Sequence, residues 1–115
     1  RLIMALDVPG IQQAKELVET LGDSVTFYKV GLELCMSGEY FELIHWLNQK
    51  GKRVFADLKF FDVPETVARA VRALSQHGVD FATIHGNDAI MKAAAEPAWM
   101  QPTCTIWGLT VMFSL

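Results

Sequence analysis

Three ionisable residues stand close together in an otherwise apolar passage of this 115-residue chain. Asp57 and Lys59 lie in the run 53–59, whose β-branched and aromatic residues predict a strand, and Asp62 follows directly after it. Residues two apart on a strand point to the same side, so Asp57 and Lys59 are expected to share a face. The alternate positions are apolar and suit a helix layer, which leaves the charged pair pointing into the interior of a sheet or barrel. A carboxylate and an ammonium are costly there unless paired, so these residue types indicate chemistry.

A structural ion pair at a strand end, or a solvated edge strand, would also explain an Asp-x-Lys pair taken alone. The third charge favours a functional site. Asp62 lies where the loop begins, and Pro64 then occupies the first turn of a predicted helix. These two acids and one base lie at the C-terminal end of a strand, which is where α/β barrels carry their catalytic residues.

The composition argues against several classes of protein. A formal net charge of −3 and a pI near 5.5 do not suit nucleic acid or an anionic membrane as the main partner. No apolar run approaches the length of a membrane span. Cys35 and Cys104 lie far apart without metal-type spacing, so both are predicted to be free thiols in the reducing cytosol. With 51% hydrophobic residues, the chain is expected to pack as one domain over residues 1–115.

Strand-like and helical patterns alternate along the chain. Strands are predicted at 1–6, 25–30, 53–59, 81–85 and 105–112, and helices at 11–21, 40–50, 64–77 and 88–96. Alternation of this length implies right-handed crossovers and a parallel sheet. Five strands and four helices make about half of a (β/α)8 barrel, and both chain ends fall in strand-like runs. The predicted fold is therefore a partial α/β barrel, presented as a fragment.

A polar residue falls at the C-terminal end of each of the first four predicted strands, namely Asp7, Lys29, Asp57 with Lys59, and His85. Their shared register predicts a common active-site rim. Each also has a simpler interpretation: Asp7 precedes Pro-Gly and could be a turn residue, and Lys29 could reach solvent from its strand end. His85 is expected to be a structural, hydrogen-bonded histidine.

These residues resemble the signature of the orotidine 5′-phosphate decarboxylase family in its bacterial form. The third barrel strand of that family carries Asp-x-Lys-x-x-Asp-(Ile/Val)-x-x-Thr, which stands here as Asp57, Lys59, Asp62, Val63 and Thr66, with the Pro64 common in bacterial members. The segments 5–7, 28–31 and 83–86 are similar to the first, second and fourth strands of the family. The resemblance covers most of residues 1–96 and implies the N-terminal half of a TIM barrel.

The resemblance implies an enzyme that converts orotidine monophosphate to UMP and CO2 without a metal or an organic cofactor. Lys59 would stabilise and protonate the carbanion at C6, because a fixed ammonium beside that carbon can do both. Asp57 would lie near the leaving carboxylate, and Lys29 would hold Asp57 in place. Asp62 and Thr66 would reach the substrate of the neighbouring subunit in a homodimer.

The resemblance also implies a set of substrate-binding residues, with Asp7 contacting the ribose. The set comprises Asp7, Lys29, Asp57, Leu58, Lys59, Phe60, Phe61, Asp62, Val63, Pro64, Glu65, Thr66 and Phe113. Phe113 departs from the family pattern, because a Thr or Ser usually donates to the pyrimidine there and a Phe cannot. The Gln and Arg that bind the 5′-phosphate come from later strands of the family, outside residues 1–115. Remote binding supplies much transition-state stabilisation, so the isolated chain is expected to be a poor catalyst.

Two other interpretations stay open. Sister enzymes such as 3-keto-gulonate-6-phosphate decarboxylase and hexulose-phosphate synthase share the Asp-x-Lys-x-x-Asp run, but they typically bind Mg²⁺ and carry Glu at the position of Lys29. The chain could also be a non-catalytic half-barrel from a truncated gene, acting only by association.

Overall fold

The computed structural model describes residues 2–84, 89, 92, 93, 113 and 114. The strands are β1 (Met4–Ala5), β2 (Phe27–Gly31), β3 (Arg53–Phe60), β4 (Phe81–Ile84) and β5 (Phe113–Ser114). The helices are α1 (Ile11–Leu21), α2 (Leu32–Met36), α3 (Tyr40–Gln49) and α4 (Pro64–Gln76), with a short 3₁₀ turn at Gly22–Ser24. The strands lie in the sheet in their sequence order, and β1 to β4 are parallel. The predicted α/β architecture is confirmed over these four strands.

The last strand differs from the prediction. β5 runs antiparallel to β4, with Ala82 opposite Phe113, whereas a parallel fifth strand was expected at 105–112. That range lies outside the described residues, as do His85 and most of the predicted helix 88–96, of which residues 89, 92 and 93 are helical. An alternating pattern reports which faces of a strand are buried, and it carries no information on the direction in which the strand enters the sheet.

The second helical pattern of the sequence places Phe41, Ile44 and Leu47 on one inward stripe. Ile44 and Leu47 are buried as predicted, but Phe41 is exposed and Tyr40 is buried instead. The reason is a hydrogen bond of 2.9 Å that the Tyr40 hydroxyl donates to the carbonyl of Val30 in β2. The short helix α2, which precedes it, was not predicted.

One side of the sheet packs against the helices and forms the core. Its buried residues include Tyr28, Val30, Val54, Ala56, Ala82 and Ile84 from the strands, and Ala14, Val18, Leu43, Ile44, Leu47, Val67, Val71 and Leu74 from the helices. In α4, Val67, Val71 and Leu74 recur at helical spacing in the sequence, which predicts that they face inward, and they are buried. Each large apolar side chain buried here stabilises the fold by roughly 1.5–3 kcal/mol.

The opposite side of the sheet is divided into two layers. Near the N-terminal ends of the strands, the ring of Phe81 lies 5.1 Å from that of Phe27 and 6.1 Å from that of Phe55. The guanidinium of Arg53 lies 4.9 Å from the ring of Phe27 and 5.0 Å from that of Phe81. Two residues further along each of these strands, the side chain on the same face is charged or carries a hydroxyl. The aromatic layer thus forms the floor beneath the polar residues at the C-terminal ends of the strands.

Candidate active site

Asp57 is the centre of a charged cluster built by β2 and β3. The Nζ atom of Lys59 lies 3.0 Å from Oδ1 of Asp57, and the Nζ atom of Lys29 lies 3.8 Å from Oδ2. Parallel pairing places Gly31 opposite Asp57, so the side chain of Lys29 begins one step below the carboxylate on the neighbouring strand. The predicted reach between Lys29 and Asp57 is confirmed. Two ammonium groups around one carboxylate leave a net positive charge, which suits an anionic ligand.

Thr83 joins this cluster from β4. Its side chain is nearly inaccessible, at 3% exposure. The hydroxyl donates a hydrogen bond of 2.9 Å to Oδ1 of Asp57 and accepts one of 2.8 Å from the backbone N–H of Lys59. The sequence pattern did not assign Thr83 to the site. Thr83 stands two residues after Phe81 and so on the same face of β4, and this spacing is the sequence signal that could have placed it in the site.

The backbone of Lys59 has a left-handed conformation, with φ at 49°, which residues other than glycine rarely adopt. The pairing of β3 with β4 shifts at the same place. Ala56 lies opposite Ala82 and Phe60 opposite Ile84, so β3 advances four residues while β4 advances two. Such a conformation costs on the order of 1–3 kcal/mol and is found preferentially at functional sites. The irregularity directs the Lys59 side chain to Asp57, although the regular alternation of β3 ends there.

The surroundings of Asp57 keep it ionised. Burial alone would raise the pKa of this carboxyl, since its side chain is 17% exposed. Hydrogen bonds from Lys59 and Thr83, and the positive charges of Lys59 and Lys29, outweigh burial and hold the pKa of Asp57 below its ordinary value of 3.8. The Lys59 side chain, by contrast, is 56% exposed toward the open face. A fixed carboxylate therefore anchors an ammonium that a ligand can approach.

Tyr40 supports the cluster from behind the sheet. Burial raises the pKa of the Tyr40 hydroxyl, and the nearby Cys35 and Asp57 raise it further. The hydroxyl therefore keeps its proton and its hydrogen bond to Val30, the residue after Lys29. Cys35 is a free, partly buried thiol, as predicted, and Cys104 lies outside the described residues.

Asp62 lies just beyond the C-terminal end of β3, and its convergence with Asp57 and Lys59 stays a prediction. Its exposed side chain accepts a hydrogen bond of 2.7 Å from the backbone N–H of Val63, within its own loop. It is absent from the ion pairs found among the described residues. Because Asp62 lies beyond the end of β3, its direction is set by the turn into α4 and not by the strand.

The remaining predicted site residues lie around this loop and at the strand ends. Pro64 opens α4 as predicted, Glu65 pairs with Arg69 at 2.9 Å, and Thr66 is exposed. Leu58 and Phe60 are partly buried against the core, whereas Phe61 and Val63 are 68% and 61% exposed. Asp7 is exposed beyond β1, two residues after Ala5, which pairs with Lys29. The side chain of Phe113 lies outside the described part of the chain.

Among the described residues, no helix is long and apolar enough to cross a membrane. Over the same residues, His, Cys, Asp and Glu side chains do not gather in threes in a way that could hold a metal ion.

The fold and the site together define a protein of the α/β-barrel class, with charged residues gathered at the C-terminal ends of parallel strands. The chain belongs to the Orotidine 5'-phosphate decarboxylase / HUMPS family, whose model matches residues 1–112.

Two curated relatives show how much of a longer protein this chain represents. The chain is 64% identical over 115 residues to orotidine 5′-phosphate decarboxylase of Methylococcus capsulatus, covering 100% of this chain and 46% of the relative. It is 55% identical over 98 residues to the Xylella fastidiosa protein of the same name, covering 85% of this chain and 40% of that one. The chain thus spans about half the length of the curated relatives it matches, and the match lies in their N-terminal part.

Two solved structures are similar as well. Orotidine 5′-phosphate decarboxylase from Lactobacillus acidophilus superposes with a TM-score of 0.73 at 33% identity, covering 87% of this chain and 48% of that one. The Pyrococcus horikoshii OT3 enzyme of the same name gives a TM-score of 0.75 at 24% identity, covering 83% and 47% of the two chains. The second similarity supports the fold alone.

Proposed function

We propose that this chain carries the catalytic charges of an orotidine 5′-phosphate decarboxylase, a lyase that converts orotidine monophosphate to UMP and CO2 in pyrimidine biosynthesis. The observation that carries the proposal is the alternating array of Lys29, Asp57 and Lys59, with charged atoms 3.8 and 3.0 Å apart. The relatives that bear this name, at 55 and 64% identity, support it.

The array suits the chemistry of decarboxylation. Breaking the bond between C6 and the carboxylate releases CO2 and leaves an electron pair on C6. Lys59 then transfers a proton from its ammonium to that carbon, and its positive charge stabilises the carbanion before the transfer. Asp57 holds the ammonium in place and, near the leaving carboxylate, disfavours the ground state through like charge. Lys29 fixes Asp57 from the other side.

The remaining predicted residues take substrate-binding roles in this proposal. Asp7 contacts the ribose from the end of β1, and the run 57–66 surrounds the pyrimidine. Phe113 stands at the position expected to face the base and supplies no hydrogen-bond donor. Residues 1–115 form one partial barrel domain that works in the cytoplasm without a cofactor.

The proposed enzyme is a homodimer in which Asp62 and Thr66 reach the neighbour's substrate. Both side chains are exposed and do not contribute to the Asp57 cluster of their own chain. Phe61 and Val63 flank Asp62 and are strongly exposed, as expected of residues that a second subunit covers.

Lys29 argues against the sister enzymes. A Glu at that position would bring a second carboxylate to within about 4 Å of Asp57, an arrangement that is unfavourable unless a cation lies between them. The observed Lys29 neutralises Asp57 directly, at 3.8 Å. Decarboxylation that depends on added Mg²⁺ would support the sister activity instead.

The test uses what we call the completed enzyme: this chain joined to the C-terminal remainder of the Methylococcus capsulatus relative. Decarboxylation of orotidine monophosphate is followed by ultraviolet absorbance. Lys59→Ala is expected to lower kcat by about 10²–10⁴-fold while UMP still binds in calorimetry, because it removes the ammonium that stabilises and protonates the carbanion. Lys15→Ala on α1 is the matched control for loss of a lysine. Near-normal turnover in Lys59→Ala would refute the mechanism.

A further inference from the structure

Thr83 makes two hydrogen bonds whose directions follow from the groups involved. A hydroxyl has one proton to donate and oxygen lone pairs with which to accept. The ionised carboxylate of Asp57 can only accept, and the backbone N–H of Lys59 can only donate. Thr83 therefore donates to Asp57 at 2.9 Å and accepts from Lys59 at 2.8 Å. Because Nζ of Lys59 also donates to Oδ1 of Asp57 at 3.0 Å, the three residues form a closed ring of hydrogen bonds.

The place of this ring in the sheet gives Thr83 a specific task. Between Ala56 and Phe60 the pairing of β3 with β4 is shifted, and the backbone N–H of Lys59 is bonded to a side chain. Lys59 has its left-handed φ of 49° at this point. The hydroxyl of Thr83 thus bonds two groups: the strained backbone of Lys59, and the Asp57 carboxylate that holds the Lys59 ammonium.

We propose that Thr83 is a positioning residue that fixes the Asp57 carboxylate and the Lys59 ammonium relative to each other for the proton transfer to C6. This role rests on the decarboxylase function proposed above. Thr83 acts through Asp57 and Lys59 and does not itself touch the reacting carbon. Without its hydroxyl, Lys59 loses the backbone anchor and Asp57 loses a buried donor, so the ammonium occupies a wider range of positions.

The Thr83→Val variant tests the proposal, because valine keeps the shape and β-branching of threonine and removes the hydroxyl. In the completed enzyme we expect kcat to fall by about 10–100-fold, as misplacement of a reacting group does, with KM changed less than about 3-fold. Thr83→Ser keeps the hydroxyl and is expected to retain most of kcat. Thr20→Val is the matched control, since that exposed hydroxyl donates to the carbonyl of Glu16 within α1.

A second measurement separates positioning from folding. The Asp57 carboxyl is followed by ¹³C NMR as a function of pH in the completed enzyme labelled at aspartate. Thr83 is one of the groups that lower the pKa of Asp57, so Thr83→Val is expected to raise the titration midpoint and Thr83→Ser to leave it near the parent's. Equal kcat in Thr83→Val and the parent, an unchanged midpoint, or equal losses in the Val and Ser variants would each overturn the role. An unsubstituted completed enzyme without activity would refute the decarboxylase function instead, and the midpoint would still decide whether Thr83 holds Asp57.

Discussion

Asp57→Asn isolates the charge at the centre of the site. Asparagine has the size of aspartate, and its carbonyl oxygen at the Oδ1 position still accepts from Thr83 and Lys59. Its amide group then stands at the Oδ2 position, where it presents a donor to the ammonium of Lys29, 3.8 Å away. The substitution therefore removes the negative charge while the packing stays almost unchanged.

The contacts of Asp57 set the expected loss of stability. The pair with Lys59 is more than half exposed at its lysine, and the pair with Lys29 is one-third exposed at its lysine, so each contributes about 0.5 kcal/mol after solvent screening. The hydrogen bond from buried Thr83 weakens by about 1 kcal/mol when its acceptor loses the charge. We expect Asp57→Asn to lower the free energy of unfolding by about 2 kcal/mol near neutral pH.

The loss has a definite pH dependence. The pKa of folded Asp57 lies below 3.8, whereas in the unfolded chain it has its ordinary value. The carboxylate therefore contributes its stability above the ordinary value, and the contribution disappears as the pH falls through the lower, folded pKa. The difference between the parent and Asp57→Asn is expected to be constant from about pH 7 to about pH 5 and to shrink below 3.8.

Urea unfolding of the completed enzyme at several pH values measures this difference. Asp23→Asn in the exposed 3₁₀ turn is the matched control, with an expected change within about 0.5 kcal/mol at every pH. A loss for Asp57→Asn that stays constant down to the acid limit of folding would show that the charge does not stabilise the site. A gain in stability would mean that burial of the carboxylate outweighs its three partners.

Three further outcomes are expected. Gly78→Ala should lower the free energy of unfolding, measured in urea, by about 1–3 kcal/mol, because φ is +83° and the added Cβ would collide with the amide of Asn48. Gly22→Ala is the control: its φ is also positive, but the added Cβ meets no atom, so the loss of stability should be smaller. Equal losses in the two variants would exclude the contact with Asn48 as a cause. Decarboxylation by the completed enzyme should survive exhaustive chelation, and loss with EDTA followed by rescue with Mg²⁺ would favour the sister enzymes. The isolated 115-residue chain should self-associate in sedimentation, since β1 pairs with a neighbouring strand on one side alone among the described residues; a stable monomer at micromolar concentration would contradict this.

The sequence by itself determined the alternation of the first four strands with α1, α3 and α4, and the central ion pairs. Apolar residues at helical spacing placed Val67, Val71 and Leu74 against the sheet, and period-2 alternation placed Asp57 on the face opposite the core. The position of Lys29 beside Asp57 is predicted because parallel strands bring their C-terminal ends to the same edge of the sheet. The first two features are local patterns along one helix or strand, and the third needs only the parallel direction of neighbouring strands, so the spacing of residue types suffices to predict them.

The tertiary structure decided the features that depend on contacts between distant segments. Tyr40 faces the core because its hydroxyl finds the carbonyl of Val30 in another element, and Asp62 turns to its own loop because β3 has already ended. The left-handed Lys59 and its bond to Thr83 depend on how β3 and β4 shift past each other. Register between strands is a property of paired backbones far apart in the chain, and no local period of side chains encodes a shift of that kind.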